Sequence, residues 1–310
     1  LDKVLIYDKL GPFTGIHMRY FWSDSELGPM DYSVGLARLD ADIAAVKKAG
    51  KKLLVFLNYE KSDGTPCVPA DLLTGPGPWC SGANGEFCGQ MPNGTAPYPI
   101  YWNDAVAARM RGWLQAMASH IQASPDRDVV AGITLPETAT GNYTLTELQA
   151  TGYTPDKYLA SVEGTIQSIL DVAPALIVFQ YINGGFKPSP QEYFLKLADW
   201  ALLHPRAGFG IPDIVPNIPQ MTNADAVLRS ATYQGRLPFN PNVQAPDYGL
   251  DRTPSLEASL KLGLAPAPEG MLASYLSFAF TPGPGPNAFT LDDVAAAIPT
   301  HPTNQTPPTW

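Results

Sequence analysis

The chain has few charged side chains. Of its 310 residues, 16% are Asp, Glu, Lys or Arg, against about 25% in an average soluble domain. Its basic residues are also scattered, because no run of Lys or Arg exceeds two, and the formal net charge is −9. Nucleic acids and anionic membrane surfaces are bound by clustered positive charge. The composition therefore argues against both kinds of partner.

Long apolar runs and several common motifs are missing as well. No stretch approaches the roughly 20 apolar residues of a membrane-spanning helix. No GxGxxG follows a predicted strand and no GxxxxGK[ST] occurs, which argues against a dinucleotide fold and a P-loop. The GxSxG motif of serine hydrolases is absent too. The chain begins at Leu1 without a signal-peptide pattern, so we expect a processed or trimmed protein.

Histidine and cysteine, the usual metal ligands, are scarce. The four histidines all lie away from predicted strand ends, so a histidine-based metal site has no support and we expect no cofactor. The three cysteines lie in one loop, predicted over 61–100, and could form one disulfide, stay reduced, or bind a metal with a fourth ligand from elsewhere. The histidines are His17, His120, His204 and His301, and the cysteines are Cys67, Cys80 and Cys88.

Low charge and a disulfide-capable loop are typical of a secreted protein, so we expect a secreted, cell-surface or periplasmic location. The sequence also has three Asn-X-Thr sequons, at Asn93, Asn142 and Asn304. These sequons would matter only in a eukaryotic secretory pathway.

Strand-like and helix-like segments alternate along the chain. The predicted strands cover 15–22, 51–60, 128–137, 175–184, 207–216, 236–249 and 270–282. The predicted helices cover 36–50, 103–122, 154–174, 189–205, 222–235 and 253–265. Regular alternation predicts a parallel sheet. Seven such units predict an α/β fold with a TIM-type (β/α)8 barrel rather than an open sheet.

The sequence leaves the first strand of this barrel open. Residues 2–8, "DKVLIYD", lie too close to the next strand for a crossover helix between them. Residues 1–10 could instead end a first helix, with strand one removed or supplied by the tail. We expect one barrel domain over 1–282, with the cysteine loop inserted in it, and a Pro-rich tail over 283–310 packed on the barrel.

Carboxylates, amides and aromatic rings follow the predicted strands. In a TIM barrel the active site lies at the carboxyl ends of the strands. Such side chains suit a sugar, because rings stack on its apolar faces and its hydroxyls need donors and acceptors. Two carboxylates can then cleave the acetal: one protonates the leaving oxygen, and the other attacks carbon or activates water. The candidate binding residues are Arg19, Trp22, Asn58, Glu60, Gln180, Tyr181, Asn183, Gln244 and Tyr248.

Glu137 is the first catalytic candidate, because it ends the buried-strand pattern of "VVAGITLPETATG". Its alternative role is that of a solvated loop residue. Asp213 and Asp247 are candidates for the second carboxylate, or they fix turns. The aromatic candidates could stack on sugar or pack the core. Arg19 could serve a subsite or a structural ion pair.

Parts of the chain resemble the clan A glycoside hydrolases with a (β/α) barrel. The segments are "RYFWSDSELGPMDYS", "LDADIAAVKKAGKKLLVFL" and "YPIYWNDAVAARMRGWLQAMASHI", and the overall pattern extends over about 15–281. The resemblance implies that Glu137 is the acid/base glutamate that ends strand four, although Pro136 replaces the usual asparagine. At the end of strand seven, Gln244 stands where the clan has its nucleophile, and the nearest carboxylate is Asp247.

We therefore expect a glycosidase with a carbohydrate substrate and no nucleic-acid or membrane partner. One alternative is a carbohydrate-binding barrel without catalysis, which Gln244 favours. Another is a polysaccharide lyase-type enzyme, in which Arg19 binds a uronate carboxylate. The oligomeric state is not indicated.

Overall fold

A computed structural model describes residues 11–59, 67–74, 88–90, 97–140, 144–212, 214, 219–243, 255–278 and 289–298. The predictions made for other residues lie outside this part of the chain: Glu60, Asp213, Gln244, Asp247, Tyr248, residues 1–10, Cys80 and the three sequons. Cys67 is buried, and the pairing of the cysteines stays a prediction.

Seven parallel strands form the main sheet within the described residues. They are β1 (Gly15–Phe21), β2 (Lys52–Asn58), β5 (Val130–Leu135), β6 (Val178–Tyr181), β7 (Ala207–Ile211), β8 (Phe239–Val243) and β9 (Ser277–Phe278), in the sheet order β1-β2-β5-β6-β7-β8-β9. The short strands β3 (Cys88–Gln90) and β4 (Pro97–Pro99) form a separate antiparallel pair. Each predicted strand contains one of the seven, so the predicted sheet is confirmed.

Contacts across the lumen show that this sheet is curled into a barrel. β1 is first and β8 sixth in the sheet order, yet the side chains of His17 and Asn242 share a hydrogen bond. The His17 Nε2 atom also lies 3.1 Å from the Thr134 hydroxyl on β5. The edge of the Tyr181 ring on β6 faces the His17 ring at 6.1 Å. Side chains of four strands therefore meet inside one barrel, as the sequence predicted.

Helices connect the strands. They are α1 (Trp22–Ser25), α2 (Ser33–Lys48), α3 (Ala70–Thr74), α4 (Asp104–Ala123), α5 (Leu145–Ala150), α6 (Pro155–Val172), α7 (Pro190–Ala201), α8 (Pro219–Leu228), α9 (Leu256–Leu264) and α10 (Leu291–Ala297). In α4 and α6, for example, the side chain of the preceding residue caps the first turn. The Asn103 side chain accepts from the first turn of α4, and the Thr154 hydroxyl accepts from the Lys157 N–H of α6. No helix in the described part is long and apolar enough to cross a bilayer.

The alternation of the strands creates two apolar layers. In β2, Leu53, Val55 and Leu57 lie in the main core between the sheet and the helices. Leu54 faces the lumen instead, where it joins Phe179 of β6. The main core holds most of the buried apolar side chains, and this burial is the dominant stabilising contribution. The rigid barrel then fixes the positions of the strand ends.

Some short elements were not predicted. The sequence did contain a signal for α5, since Thr144 and Glu147 form a capping box. A second box, made by Thr290 and Asp293, begins α10 within the predicted tail. Val294 of this helix is fully buried in the main core.

Candidate active site

Glu137 lies just beyond the end of β5, at the rim formed by the carboxyl ends of the parallel strands. Leu135 and Pro136 before it are buried, whereas Glu137 is partly exposed. The rim position follows from the parallel pairing of β5 with β2 on one side and β6 on the other. The structure thus places Glu137, partly exposed, at the end of a rigid strand.

The Glu137 carboxylate is held by a residue from the next strand. The Asn183 side-chain amide donates a hydrogen bond to Glu137 Oε2 at 2.7 Å. Asn183 follows β6 and is also partly exposed. Two of the residues predicted for the site are therefore in direct contact.

The main chain of Glu137 is fixed by two tyrosines. The Tyr59 hydroxyl donates to the Glu137 carbonyl at 3.2 Å, and the Tyr101 hydroxyl donates to the same oxygen at 3.1 Å. Tyr59 follows β2 and Tyr101 precedes α4, so the donors come from separate elements. A carbonyl oxygen has two lone pairs, and the two tyrosines supply a donor for each.

The carbonyls on either side of Glu137 are bound in the same way. The Gln180 amide donates to the Pro136 carbonyl, and the Tyr158 hydroxyl donates to the Thr138 carbonyl at 2.8 Å. We call residues 136–138 the strand-end segment. Three consecutive carbonyls of this segment each accept a side-chain hydrogen bond, which fixes the backbone beneath the Glu137 carboxylate.

The turn after β6 packs tightly against this segment. The Thr138 N–H donates to the Tyr181 carbonyl at 2.9 Å, and the Asn183 N–H donates to the Thr138 hydroxyl at 2.9 Å. Gly185 has φ +71°, and a Cβ atom there would lie 2.0 Å from the Thr138 carbonyl oxygen. Only glycine fits this position without displacing the strand-end segment.

Trp22 belongs to the core. It lies on the same side of the chain as Tyr20, whose hydroxyl donates to Asp42 of α2 at 2.8 Å. The Trp22 ring is fully buried and stacks on Trp113 of α4, with centroids 5.8 Å apart. The expectation that Trp22 offers a ring face to a sugar is therefore wrong, because strand alternation turns it toward the helices.

Tyr181 is also closed to a ligand in this structure. Its ring is fully buried in the lumen, 4.9 Å from the Phe56 ring, and its edge packs against Gly210 of β7. The expectation of a sugar platform is wrong here as well, since the narrow lumen is filled by side chains. Among the other predicted binding residues, Asn58 and Gln180 are buried as well, 5% and 4% exposed respectively.

Arg19 is exposed on the lumen side of β1. Its guanidinium carbon lies 5.1 Å from the centroid of the Phe56 ring. Phe56 pairs in register with Arg19 on one side and with Thr134, on β5, on the other. Arg19 therefore lies at the same height in the barrel as Thr134, three residues before Glu137. Its role in binding stays a prediction.

His17 lies deeper in the lumen and stays neutral. Burial lowers its pKa to about 3, with a further lowering by the Arg19 cation and an opposing contribution from the Asn242 hydrogen bond. Its ring stacks on Phe56 at 5.2 Å. No group of three or more His, Cys, Asp or Glu residues within the described ranges could hold a metal ion.

Glu26 follows the short helix α1 and serves to hold neighbouring elements together. It is 1% exposed and accepts hydrogen bonds from the Trp22 indole at 2.6 Å and from the Met30 N–H at 2.7 Å. Arg109 of α4 forms an ion pair with it and also contacts Asp71 of α3 at 3.2 Å. A carboxylate so enclosed is unsuited to contact a substrate, in contrast to Glu137.

Sequence reasoning missed the residues that fix the strand-end segment. Tyr59, Tyr101 and Tyr158 act through hydroxyl groups on main-chain carbonyls, so no motif marks them. Their rings lie close together, with the Tyr101 centroid 5.7 Å from Tyr59 and 4.9 Å from Tyr158. The weak signal was the aromatic content of "YPIYW", which precedes α4.

The described residues form a parallel (β/α) barrel with a fixed, partly exposed glutamate at the carboxyl end of a strand. Solved structures of glycoside-cleaving enzymes share this fold. The catalytic domain of β-amylase from Paenibacillus polymyxa is similar with a TM-score of 0.58 and 11% identity, over 89% of this chain and 87% of that one.

Two further structures are similar over most of this chain. An endo-glycoceramidase II from Rhodococcus sp. has a TM-score of 0.54 at 15% identity, over 92% of this chain and 70% of that one. A GH5_18 structure from Streptomyces cattleya in complex with GlcNAc has a TM-score of 0.53 at 12% identity, over 90% of this chain and 64% of that one. No protein-family model matches the sequence, and no curated protein does either. At these identities the similarity shows the barrel fold.

Proposed function

We propose that this protein is a glycoside hydrolase in which Glu137 is the general acid/base. The observation that carries the proposal is the fixed position of Glu137. The carbonyls of residues 136–138 are all bound by side chains, the Glu137 carboxylate accepts from Asn183 at 2.7 Å, and Glu137 is partly exposed. Catalytic groups need this combination of rigid placement and access.

In the proposed reaction, Glu137 gives its proton to the leaving glycosidic oxygen as the bond to the anomeric carbon breaks. A second carboxylate attacks that carbon or removes a proton from an attacking water. We propose Asp213, which follows β7, or Asp247, which follows β8, for this role. A carboxyl separation near 5 Å to Glu137 predicts retention of configuration, and one of roughly 6.5–9.5 Å predicts inversion.

The names of the similar structures support this reading. They describe a β-amylase, an endo-glycoceramidase in complex with a cellobiose-like imidazole, and a protein in complex with GlcNAc. Each is therefore concerned with glycosides or sugars, on the fold that this chain has. The exposed Arg19 adds a polar group suited to hydroxyls.

The test is a Glu137→Gln variant assayed on a substrate found by screening the parent against nitrophenyl glycosides and polysaccharides. General acid catalysis contributes about 10²–10⁴-fold, so we expect a loss of that size. Glu192→Gln, at an exposed pair with Lys196 on α7, is the matched control and should keep parental activity. Undiminished cleavage by Glu137→Gln would refute the assignment.

The screen also separates the alternatives. Sugar binding by calorimetry, with no product after long incubation, would favour a binding barrel. An unsaturated product that absorbs in the ultraviolet would identify a lyase. Reducing ends released without such absorption support the hydrolase.

A further inference from the structure

We propose that Asn183 is a positioning residue for Glu137: it orients the acidic proton toward the substrate and does not bind the sugar itself. This inference rests on the proposed function and assigns Asn183 a role that the fold similarity does not supply. The contact that motivates it is the 2.7 Å hydrogen bond from the Asn183 amide to Glu137 Oε2.

The backbone around Asn183 is anchored to both neighbouring strands. The Asn183 N–H donates to the Thr138 hydroxyl at 2.9 Å, which ties it to the strand-end segment. The preceding Ile182 N–H donates to the Gly210 carbonyl of β7 at 2.9 Å. The Asn183 backbone is therefore held beside the strand-end segment that carries Glu137.

The chain after Asn183 reinforces this placement. Gly184, Gly185 and Phe186 all have positive φ values, of 59°, 71° and 48°. Left-handed backbone is costly for phenylalanine, and it persists here because the Phe186 ring is fully buried, 4.6 Å from the Tyr158 ring. The turn is therefore held by the same tyrosine that binds the Thr138 carbonyl.

The hydrogen bond between Asn183 and Glu137 has a fixed donor and a fixed acceptor. An amide N–H can only donate, so the Oε2 atom of Glu137 must accept in this contact. In the acidic form of the carboxyl group, the carbonyl oxygen is the better acceptor, so this contact favours the form with the proton on Oε1. A side chain that orients the proton changes the step that needs the proton and leaves sugar binding alone.

Leaving-group dependence distinguishes this role from the alternatives. A 2,4-dinitrophenolate departs without a proton, whereas an unactivated phenolate requires one. With glycosides of the sugar that the parent cleaves, Asn183→Ala should lose roughly 10–100-fold in kcat on the phenyl glycoside. It should lose less than about threefold on the 2,4-dinitrophenyl glycoside, and KM should change little on both.

The pH profile gives a second readout. Removing a donor to the ionised carboxylate disfavours that form, so the alkaline limb of kcat/KM should move up by roughly one pH unit. Gln167→Ala is the matched control. It removes another amide-to-carboxylate hydrogen bond, to Asp171 at 2.6 Å on the surface of α6, and should leave both readouts unchanged.

Asn183→Asp covers the case in which the alanine variant does not fold. It keeps the size of the side chain but places a second carboxyl group beside Glu137, so the alkaline limb should move upward further. Equal losses on both glycosides with an unmoved alkaline limb would overturn the proposal.

Glu137→Gln in the same assay separates this proposal from the proposed function. If Glu137→Gln retains full activity, the proposed function fails. If it is inactive but the Asn183 variants show neither the leaving-group dependence nor the shift of the alkaline limb, only the positioning role is refuted.

Discussion

The side-chain amide of Gln180 donates a hydrogen bond to the main-chain carbonyl of Pro136 on the neighbouring strand end. Gln180 is 4% exposed and also donates to the Tyr181 carbonyl at 3.1 Å. It thus fixes the first carbonyl of the strand-end segment from within the barrel wall. Its predicted contact with substrate is replaced by a contact with the segment that carries Glu137.

Replacing Gln180 by methionine should destabilise the protein. Gln180→Met leaves the buried Pro136 carbonyl without this donor, which costs about 1–3 kcal/mol of unfolding free energy. Urea titration of the parent and the variant measures the difference. Gln191→Met on the exposed side of α7 should stay within about 0.5 kcal/mol. An unchanged urea midpoint for Gln180→Met would contradict the importance of this bond.

The two tyrosines on the Glu137 carbonyl should behave non-additively. Tyr59→Phe or Tyr101→Phe alone leaves one donor on that oxygen, whereas the double variant removes both. We expect the double variant to lose about 1 kcal/mol more than the sum of the single losses. A double-mutant cycle by urea unfolding measures this coupling. Simple additivity would mean that the two hydroxyls do not share the carbonyl in solution.

Breaking the ion pair of Glu26 should be costly. Arg109→Leu leaves a fully buried carboxylate without its cation, and such losses typically reach about 3–5 kcal/mol. The Glu26→Leu/Arg109→Leu double variant should recover part of this stability, since no lone charge remains. Arg127→Leu, at an exposed pair with Asp128, is the control and should change little. Equal midpoints for Arg109→Leu and Arg127→Leu would contradict the prediction.

His17 should contribute to the loss of stability in acid. Its pKa falls from 6.5 to about 3 on folding, so below the unfolded value the unfolded chain binds a proton that the folded chain does not. The free energy of unfolding therefore carries no penalty from His17 above pH 6.5. It decreases as the pH falls from there toward 3. Between pH 7 and pH 5.5, His17→Gln should lose about 1 kcal/mol less than the parent.

Urea midpoints at the two pH values test this difference. His120→Gln is the control, because this histidine lies at the surface of α4 beside Asp40, and it should retain the acid-side loss attributed to His17. A His17→Gln protein that loses as much stability as the parent would show that His17 already takes up its proton in the folded state.

The alternation of strands and helices was predictable because the apolar patterns of both kinds of element are strong in this sequence. The β2 strand contains a continuous apolar run and β5 is mostly apolar. The helices α4 and α6 carry their caps, Asn103 and Thr154, in the sequence. The short helix α1 was not predictable. It begins at Trp22, which the sequence pattern had placed at the end of the first predicted strand.

The position of Glu137 was predictable from its place after an apolar run, but its supports were not. Tyr59, Tyr101 and Tyr158 are separated in sequence and donate to main-chain oxygens, which carry no side-chain signature. Their cooperation appears only when the barrel brings three elements to one rim. The contact between Asn183 and Glu137 followed from the general rule that neighbouring strand ends meet.

The supports of the strand-end segment also bear on its tolerance to sequence change. Gln180, Tyr59, Tyr101 and Tyr158 all recognise carbonyl oxygens, which every amino acid possesses. A proline can therefore occupy position 136 without weakening the attachment, because the bond there needs no N–H. The attachment of the strand-end segment at position 136 therefore depends on the backbone of this residue and not on a polar side chain.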